Sequence, residues 1–202
     1  MRSDAGPWFS RELLSAYISG YVDGEGCFTV SMSPRAKLLV GWEVRPSLSV
    51  SQNGDRAEVL HALQAYFGCG SIRPDRSDKT LKWETRRLED ILESVIPHFE
   101  SYPLLSGKRL DFDCFAAICK LMGRGAHRSR TGLIQIVELA RVMNPSGKRR
   151  YGAEAILGSL RQGEGIVCAP GNRGVTRSSD LHEWRNDSGA VSTRDSVKLK
   201  SL

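Results

Sequence analysis

Apolar residues recur at helical spacing near the start of the chain and then switch to strict alternation. Leu13, Leu14, Tyr17, Ile18, Tyr21 and Val22 fit a helix. Ser10 is its expected N-cap, and Glu12 places an anion in the first turn, where the helix dipole favours one. From Cys27 the period is two. Phe28, Val30 and Met32 alternate with Cys27, Thr29, Ser31 and Ser33, a half-buried strand ended by Pro34. Arg35 and Lys37 lie in the turn that follows. A second strand sets Trp42, Val44, Pro46, Leu48 and Val50 on one face and Glu43, Arg45, Ser47, Ser49 and Ser51 on the other. Pro46 predicts an edge position or a bulge there.

Asn53-Gly54-Asp55 reads as a turn and helix start. The helix carries Val59, Leu60, Leu63, Tyr66 and Phe67 on its apolar side and stops at Gly68. Ser71-Ile72-Arg73 is a short third strand broken by Pro74. In the fourth, Leu81 and Trp83 point inward and Thr80, Lys82, Glu84 and Arg86 outward. A helix from about Leu88 to Phe99 has Ile91, Leu92, Val95 and Ile96 as its stripe, and Pro97 predicts that it is cut short. After Pro103, the residues Leu110, Phe112, Phe115, Ile118 and Leu121 pattern a longer helix closed by Gly123 and Gly125. Beyond it, Leu133 to Met143 is helical. Asn144-Pro145-Ser146-Gly147 breaks that helix beside the basic cluster Lys148, Arg149 and Arg150, and Tyr151 to Leu160 forms a last helix. From Gly163 onward the chain is polar, with few large apolar residues, and reads as a flexible tail. The division is a core over 10–122, a helical extension over 123–162 and a tail over 163–202. No internal repeat occurs.

Composition narrows the partner. The chain has 202 residues, 40% apolar, with a formal net charge of +6 and pI ≈ 9.2. A polyanion is the matching partner, and an RNA binder or a merely basic enzyme shares that composition. The five cysteines are widely spaced and form no C-x-x-C pair, so reduced thiols in an intracellular, reducing compartment are expected. Four scattered histidines give no zinc-ligand cluster. No run of 18 apolar residues exists, so no membrane span is predicted.

Chemistry concentrates at the end of the first helix. Ala16, Gly20 and Gly24 stack at i, i+4 and i+8, with Ser19 and Asp23 beside them. A stripe that small admits the close approach of another backbone. Asp23 and Glu25 lie where the dipole is negative and acids are locally unfavourable. A hard divalent cation would offset that repulsion, because carboxylate and carbonyl oxygens suit Mg²⁺ or Ca²⁺. An ordinary helix end followed by a turn carries the same glycines.

The outward face of the strands offers groups able to read base edges: Thr29, Ser31, Arg35, Lys37, Arg45, Ser47, Ser49, Arg73, Lys82, Glu84 and Arg86. A solvated sheet face alternates in the same way, and the excess of cations favours double-stranded DNA.

The nine residues Ile18-Ser19-Gly20-Tyr21-Val22-Asp23-Gly24-Glu25-Gly26 resemble the motif that names the LAGLIDADG homing endonucleases. Gly20, Asp23 and Gly26 match it, with apolar Tyr21 and Val22 between. Ser19 and Gly24 stand where the name has alanine, and Glu25 stands for its final aspartate; each replacement keeps size class or charge. The motif occurs once, and single-motif chains of that family are homodimers joined through the motif helix. The resemblance therefore places Ala16, Ser19, Gly20 and Asp23 at a subunit interface. It implies an α+β fold over roughly Ser10 to Met122, an αββαββα core with a four-stranded antiparallel DNA-binding sheet, followed here by C-terminal helices and the tail.

The same resemblance implies Glu25 and the carbonyl of Gly24 as metal ligands near a two-fold axis. Asp23 is the less secure acid, since it would equally cap backbone N–H groups. Gln52 and Arg56 fall where the family keeps a water-organising polar pocket. Lys108 matches its basic residue, with Ser106 and Arg109 as alternatives within a couple of positions. Read alone, Gln52 is a strand-end polar residue, and Arg56 and Lys108 are solvated charges. Mg²⁺ is the implied cofactor, and Ca²⁺ would occupy the site without supporting cleavage.

The implied function is site-specific, metal-dependent hydrolysis of both strands of a long pseudo-palindromic DNA duplex by a homodimer. An intron maturase of the same fold, or a regulator that has lost cleavage, are the alternatives, and Glu25 argues against the latter. Met1 and the final Ser201-Leu202 favour a free-standing or intron-encoded protein over an intein.

Overall fold

The computed structural model describes residues 10–75, 80–145, 147 and 149–161. The tail expected over 163–202 lies outside them, as does Lys148. Helix α1 spans Arg11–Glu25, with the Ser10 hydroxyl accepting the Leu13 N–H at 3.2 Å as its N-cap. Strands β1 (Gly26–Pro34) and β2 (Trp42–Asn53) follow. A 3-10 turn over Gly54–Arg56 leads into α2, Glu58–Phe67, which Gly68 ends with a left-handed φ of 65°. Strands β3 (Ser71–Pro74) and β4 (Thr80–Thr85) complete an antiparallel sheet of order β1-β2-β4-β3. Helix α3 is composite, Leu88–Asp90, Ile91–Val95 and Ile96–Ser101. It is followed by α4 (Lys108–Gly123), α5 (Arg130–Val142) and α6 (Ala153–Arg161).

Pro97 does not cut α3 short. A π-helical turn precedes it, and the Ile96 N–H reaches back to the Ile91 carbonyl. The wider turn accommodates the ring and the helix continues to Ser101. Pro46 meets its expectation, because β4 pairs with β2 only from Leu48 onward. At Pro46 only β1 lies alongside, and a missing donor costs the sheet little.

One face of the sheet is covered by helices. Phe28 meets Phe99, Phe112 and Phe115 at ring separations of 5.5, 5.5 and 5.2 Å, tying β1 to α3 and α4. Full burial of each such ring contributes about 1.5–3 kcal/mol. Leu110, expected on the buried stripe of α4, is instead 71% exposed. The spacing is right for the helix, but the residue sits on its outer side. The C-terminal helices join the same core through Leu133, Ile136, Val137, Ile156, Leu157 and Leu160. The Trp42 indole donates to the Ser159 hydroxyl at 3.0 Å, which fixes α6 against β2.

Candidate active site and nucleic-acid interface

The acid-bearing end of α1 is held by the segment that enters α4. Gly26 closes the helix where no side chain fits, since a Cβ there would lie 2.5 Å from the Val22 side chain and 2.6 Å from its carbonyl oxygen. Glu25 is the last helical residue and is exposed. Beside it the Lys108 ammonium donates to the carbonyls of Val22 and Gly24, at 3.1 and 3.2 Å. A cation at the carbonyl end of a helix answers the dipole directly. Of the three candidates near position 108, Lys108 is thus the one that reaches this end. The Ser106 hydroxyl turns to Asp23, and Arg109 lies 3.9 Å from Asp113.

Asp23 does what a capping acid does. Its carboxylate accepts the N–H groups of Leu105 and Ser106, at 3.0 and 2.9 Å, and the Ser106 hydroxyl. Burial pulls its pKa up, but these hydrogen bonds and the nearby Lys108 charge outweigh it and hold the carboxyl below its usual range. Gln52 stands on the helix-covered side of β2. It donates to the Tyr21 hydroxyl at 2.6 Å and accepts the Asn53 N–H at 2.8 Å, so it faces α1 one turn before Glu25. Arg56 is exposed on the 3-10 turn after β2. Tyr21, which orients Gln52, read in the sequence only as an apolar position of the helix.

The two sides of α1 are unlike. Ala16, Gly20 and Gly24 face outward, and a Cβ placed on either glycine would meet nothing within 4 Å. Leu13 and Tyr17 flank this stripe, 51% and 48% exposed. Their spacing with 16, 20 and 24 was the overlooked signal that α1 is apolar on two sides. Ser19 belongs to the other side. Only 5% exposed, it bonds His98 and the Tyr102 carbonyl within its own chain. Of the four residues expected at a subunit contact, Ala16 and Gly20 lie on the open face. Ser19 does not, and Asp23 is engaged by Leu105 and Ser106.

The outward sheet face is assembled by the register. Ser31 pairs with Arg45, Thr29 with Ser47 and Cys27 with Ser49, and Ser49 then pairs with Glu84 and Ser51 with Lys82. Across β4, Glu84 pairs with Ser71 and Lys82 with Arg73. The predicted parity is therefore the observed one. Two expected readers are not free to act as such. Ser47 is 9% exposed with its hydroxyl 2.7 Å from that of Thr29, and Glu84 is 9% exposed between Arg73 and Arg86. The cations are also held. Glu43 engages Arg35 and Arg45, Lys82 bonds Asp75 at 2.9 Å, and Ser31 donates to the Arg45 carbonyl at 3.3 Å. Lys37 projects from the exposed β1–β2 turn. Arg149, read as part of a basic cluster, caps α5 by donating to the carbonyls of Ala140 and Met143.

Among the described residues, no group of three or more His, Cys, Asp or Glu is placed to hold a metal ion. Cys27, Cys69, Cys114 and Cys119 are free thiols. Among the described residues, no helix is long and apolar enough to cross a membrane.

An acid-tipped helix thus runs into a four-stranded sheet whose outer face carries cations held by acids. The LAGLIDADG endonuclease profile matches residues 18–119. The chain is 30% identical over 152 residues to the homing endonuclease I-ApeII of Aeropyrum pernix, covering 72% of this chain and 89% of that protein. It is 35% identical over 127 residues to a probable intron-encoded endonuclease 3 of Neurospora crassa, covering 62% of this chain but only 24% of that protein. This chain therefore corresponds to about a quarter of the Neurospora relative. The LAGLIDADG homing endonuclease I-LtrWI, solved bound to target DNA, superposes with a TM-score of 0.66 at 30% identity, covering 85% of this chain and 54% of that one. The chain belongs to the LAGLIDADG endonuclease family.

Proposed function

We propose that this chain acts as a site-specific, metal-dependent homing endonuclease that cuts both strands of a long pseudo-palindromic DNA duplex as a homodimer. The observation that carries the reading is the exposed Glu25 carboxylate at the carbonyl end of α1, beside a Gly24 carbonyl already bonded to a cation. Among the described residues, no packing contact calls for an acid there.

The donors suit a hard cation, and the Lys108 ammonium at Val22 and Gly24 marks that end of α1 as a place where positive charge is held. One chain offers one free carboxylate and one carbonyl, half of a coordination shell. A second copy across the open Ala16, Gly20, Gly24 stripe would double it. A bound Mg²⁺ would supply Lewis-acid charge at the phosphate and lower the pKa of an attacking water. Glu25 and Gly24 would hold that ion. Lys108, on the Val22 and Gly24 carbonyls, would add positive charge beside a phosphate bound there. Gln52, oriented by Tyr21 one turn before Glu25, and Arg56 on the turn after β2 would order water there. The sheet face supplies DNA contact, with Thr29, Ser31, Arg35, Lys37, Arg45, Ser49, Arg73, Lys82 and Arg86 as the contacting groups. Ser47 and Glu84 hold neighbouring side chains in place.

The test is Glu25→Gln on a duplex site selected from a library in Mg²⁺. Affinity should stay within a few-fold of wild type, while strand cleavage falls by on the order of 10³ or more, the loss typical of a group that acts only in the transition state. Equal cleavage rates would remove Glu25 from the chemistry.

A further inference from the structure

Beneath α1, on the side away from the open stripe, a chain of hydrogen bonds runs between two backbone carbonyls. The Ser15 hydroxyl donates to the Arg11 carbonyl at 2.8 Å and lies 2.7 Å from the Tyr66 hydroxyl. Tyr66 lies 2.9 Å from His98 Nδ1. His98 Nε2 lies 3.1 Å from the Ser19 hydroxyl, which donates to the Tyr102 carbonyl at 2.7 Å. The chain has five links, and both ends only accept. Three hydroxyls supply three hydrogens and a neutral imidazole supplies one, which leaves one link without a hydrogen. An imidazolium supplies the fifth. Then His98 donates to Tyr66 and to Ser19, Tyr66 donates to Ser15, and each serine donates to its carbonyl.

With the neutral ring's hydrogen on Nδ1, toward Tyr66, the open link is the one from His98 to Ser19 on the motif helix; with it on Nε2, the open link lies on the Tyr66 side of the ring. Ser19 stands six residues before Glu25 on one rigid helix.

We infer that His98 is a positioning residue for the acid-bearing helix, tying α1 to α2 and α3 through a hydrogen-bond chain that is complete only when the ring takes up a second proton. The groups facing the ring are Ser19 from α1, Tyr66 and Phe67 from α2, and Phe99 and Tyr102 from its own helix; of these only the two phenols titrate. Burial is the one influence resolved on the ring itself, and it pulls the pKa from 6.5 to about 4. The fifth hydrogen pulls against it.

As a contribution to cleavage the inference rests on the proposed function, whereas the bond chain is tested without activity. Ring nitrogen and proton spectra of the ¹⁵N-labelled full chain would be titrated for wild type and Tyr66→Phe. Losing that hydroxyl leaves three links and three hydrogens, so the neutral ring suffices. The variant should bind a proton about tenfold or more weakly, the effect of one link, and its neutral ring should carry the hydrogen on Nε2. Equal titration, or a variant ring with its hydrogen on Nδ1, would overturn the bond chain, whatever the enzyme does. Ser19→Ala then tests the positioning. Backbone amides from residue 19 to residue 25 should exchange faster, and single-turnover cleavage should fall about tenfold with DNA affinity within twofold. Unaltered amide exchange would overturn the positioning role. Altered exchange with wild-type cleavage would confine that role to the helix and deny it to the reaction. A wild type that cuts no duplex would count against the proposed function alone.

Discussion

At the residue scale, the site rests on how one helix end balances charge. The Val22 carbonyl accepts the Gly26 N–H that closes the helix, and Lys108 reaches both it and the Gly24 carbonyl. Lys108→Met should leave α1 folded, since the loss is an exposed interaction of about 0.3–1 kcal/mol. It should nevertheless slow cleavage by on the order of tenfold to a hundredfold, because the charge beside the phosphate would be gone. Single-turnover rates with urea unfolding on the same sample separate the two effects. His98 makes a second prediction, for stability. Its folded pKa, about 4, lies below the 6.5 of the free ring. The neutral ring's contribution is therefore present above pH 6.5 and lost as the pH falls toward 4, by up to about 3 kcal/mol at the usual 1.36 kcal/mol per pKa unit. Urea midpoints should fall between pH 7 and pH 4.5 in wild type and change less in His98→Gln. The exposed position of Glu25 at the helix end was readable in the sequence, because an acid there breaks a rule of helix ends. Lys108 was readable only to within a couple of positions. The loop that brings its segment against α1 is fixed by Asp23 bonding Leu105 and Ser106, a contact 82 or more residues apart in sequence.

At the element scale, α1 has one buried side and one open side. Ile18 and Val22 are buried in the core, with Ser15 and Ser19 in the polar chain between them. Leu13, Ala16, Tyr17 and Gly20 face outward. Periodicity reveals that a helix is amphipathic, but not which of two apolar sides meets its own chain. Ser19 was placed on the wrong side for that reason, and Leu110 among the buried residues of α4 likewise. Strand parity was more legible, because a period of two leaves two choices and the aromatic residues decide between them. The open stripe predicts the oligomer. Gly20→Leu meets no obstacle among the described residues, since a Cβ on Gly20 has nothing within 4 Å. The monomer should therefore keep its stability within about 1 kcal/mol, the usual range for an exposed helix position once the gain in helix propensity is included. If two copies cross at this stripe, a branched side chain there costs the contact about 1–3 kcal/mol or more. Sedimentation should show wild-type dimers and a monomeric variant, with cleavage lost in parallel. A variant that stays dimeric and active would locate the subunit contact elsewhere.

At the scale of the whole molecule, the proposed function requires the sheet to hold a polyanion yet choose among sequences. Its cations do not wait free in solvent. Arg35 and Arg45 lean on Glu43, and Arg73 and Arg86 on Glu84. The pairs on Glu43 are exposed enough to be worth about 0–1 kcal/mol, so Arg35 and Arg45 give up that glutamate for a phosphate or a guanine edge at little cost, whereas Glu84, 9% exposed, is costly to leave unpaired. The glutamate then remains on the DNA side of the sheet. It repels any backbone that approaches in the wrong register, and it fixes the guanidinium direction in the right one. Charge of this kind lowers affinity for all duplexes and lowers it most for wrong ones. Salt dependence should be steep all the same. If six to ten phosphates are neutralised, affinity drops by about 10³–10⁵ from roughly 50 to 200 mM salt. Glu43→Gln separates the two roles, because it removes a repulsive charge and frees two arginines without touching the core. Anisotropy titrations against the selected site and a random duplex, at several salt concentrations, should show random-sequence binding strengthened by about fivefold to tenfold. Binding to the selected site should change by less than about threefold, so the ratio between the two narrows, while the salt slope for random DNA grows by about one to two phosphates. A parallel gain on both duplexes would make Glu43 a plain brake on affinity. No gain on either would mean that Arg35 and Arg45 point away from the DNA, and the reading face would then lie nearer β4, around Lys82 and Arg73.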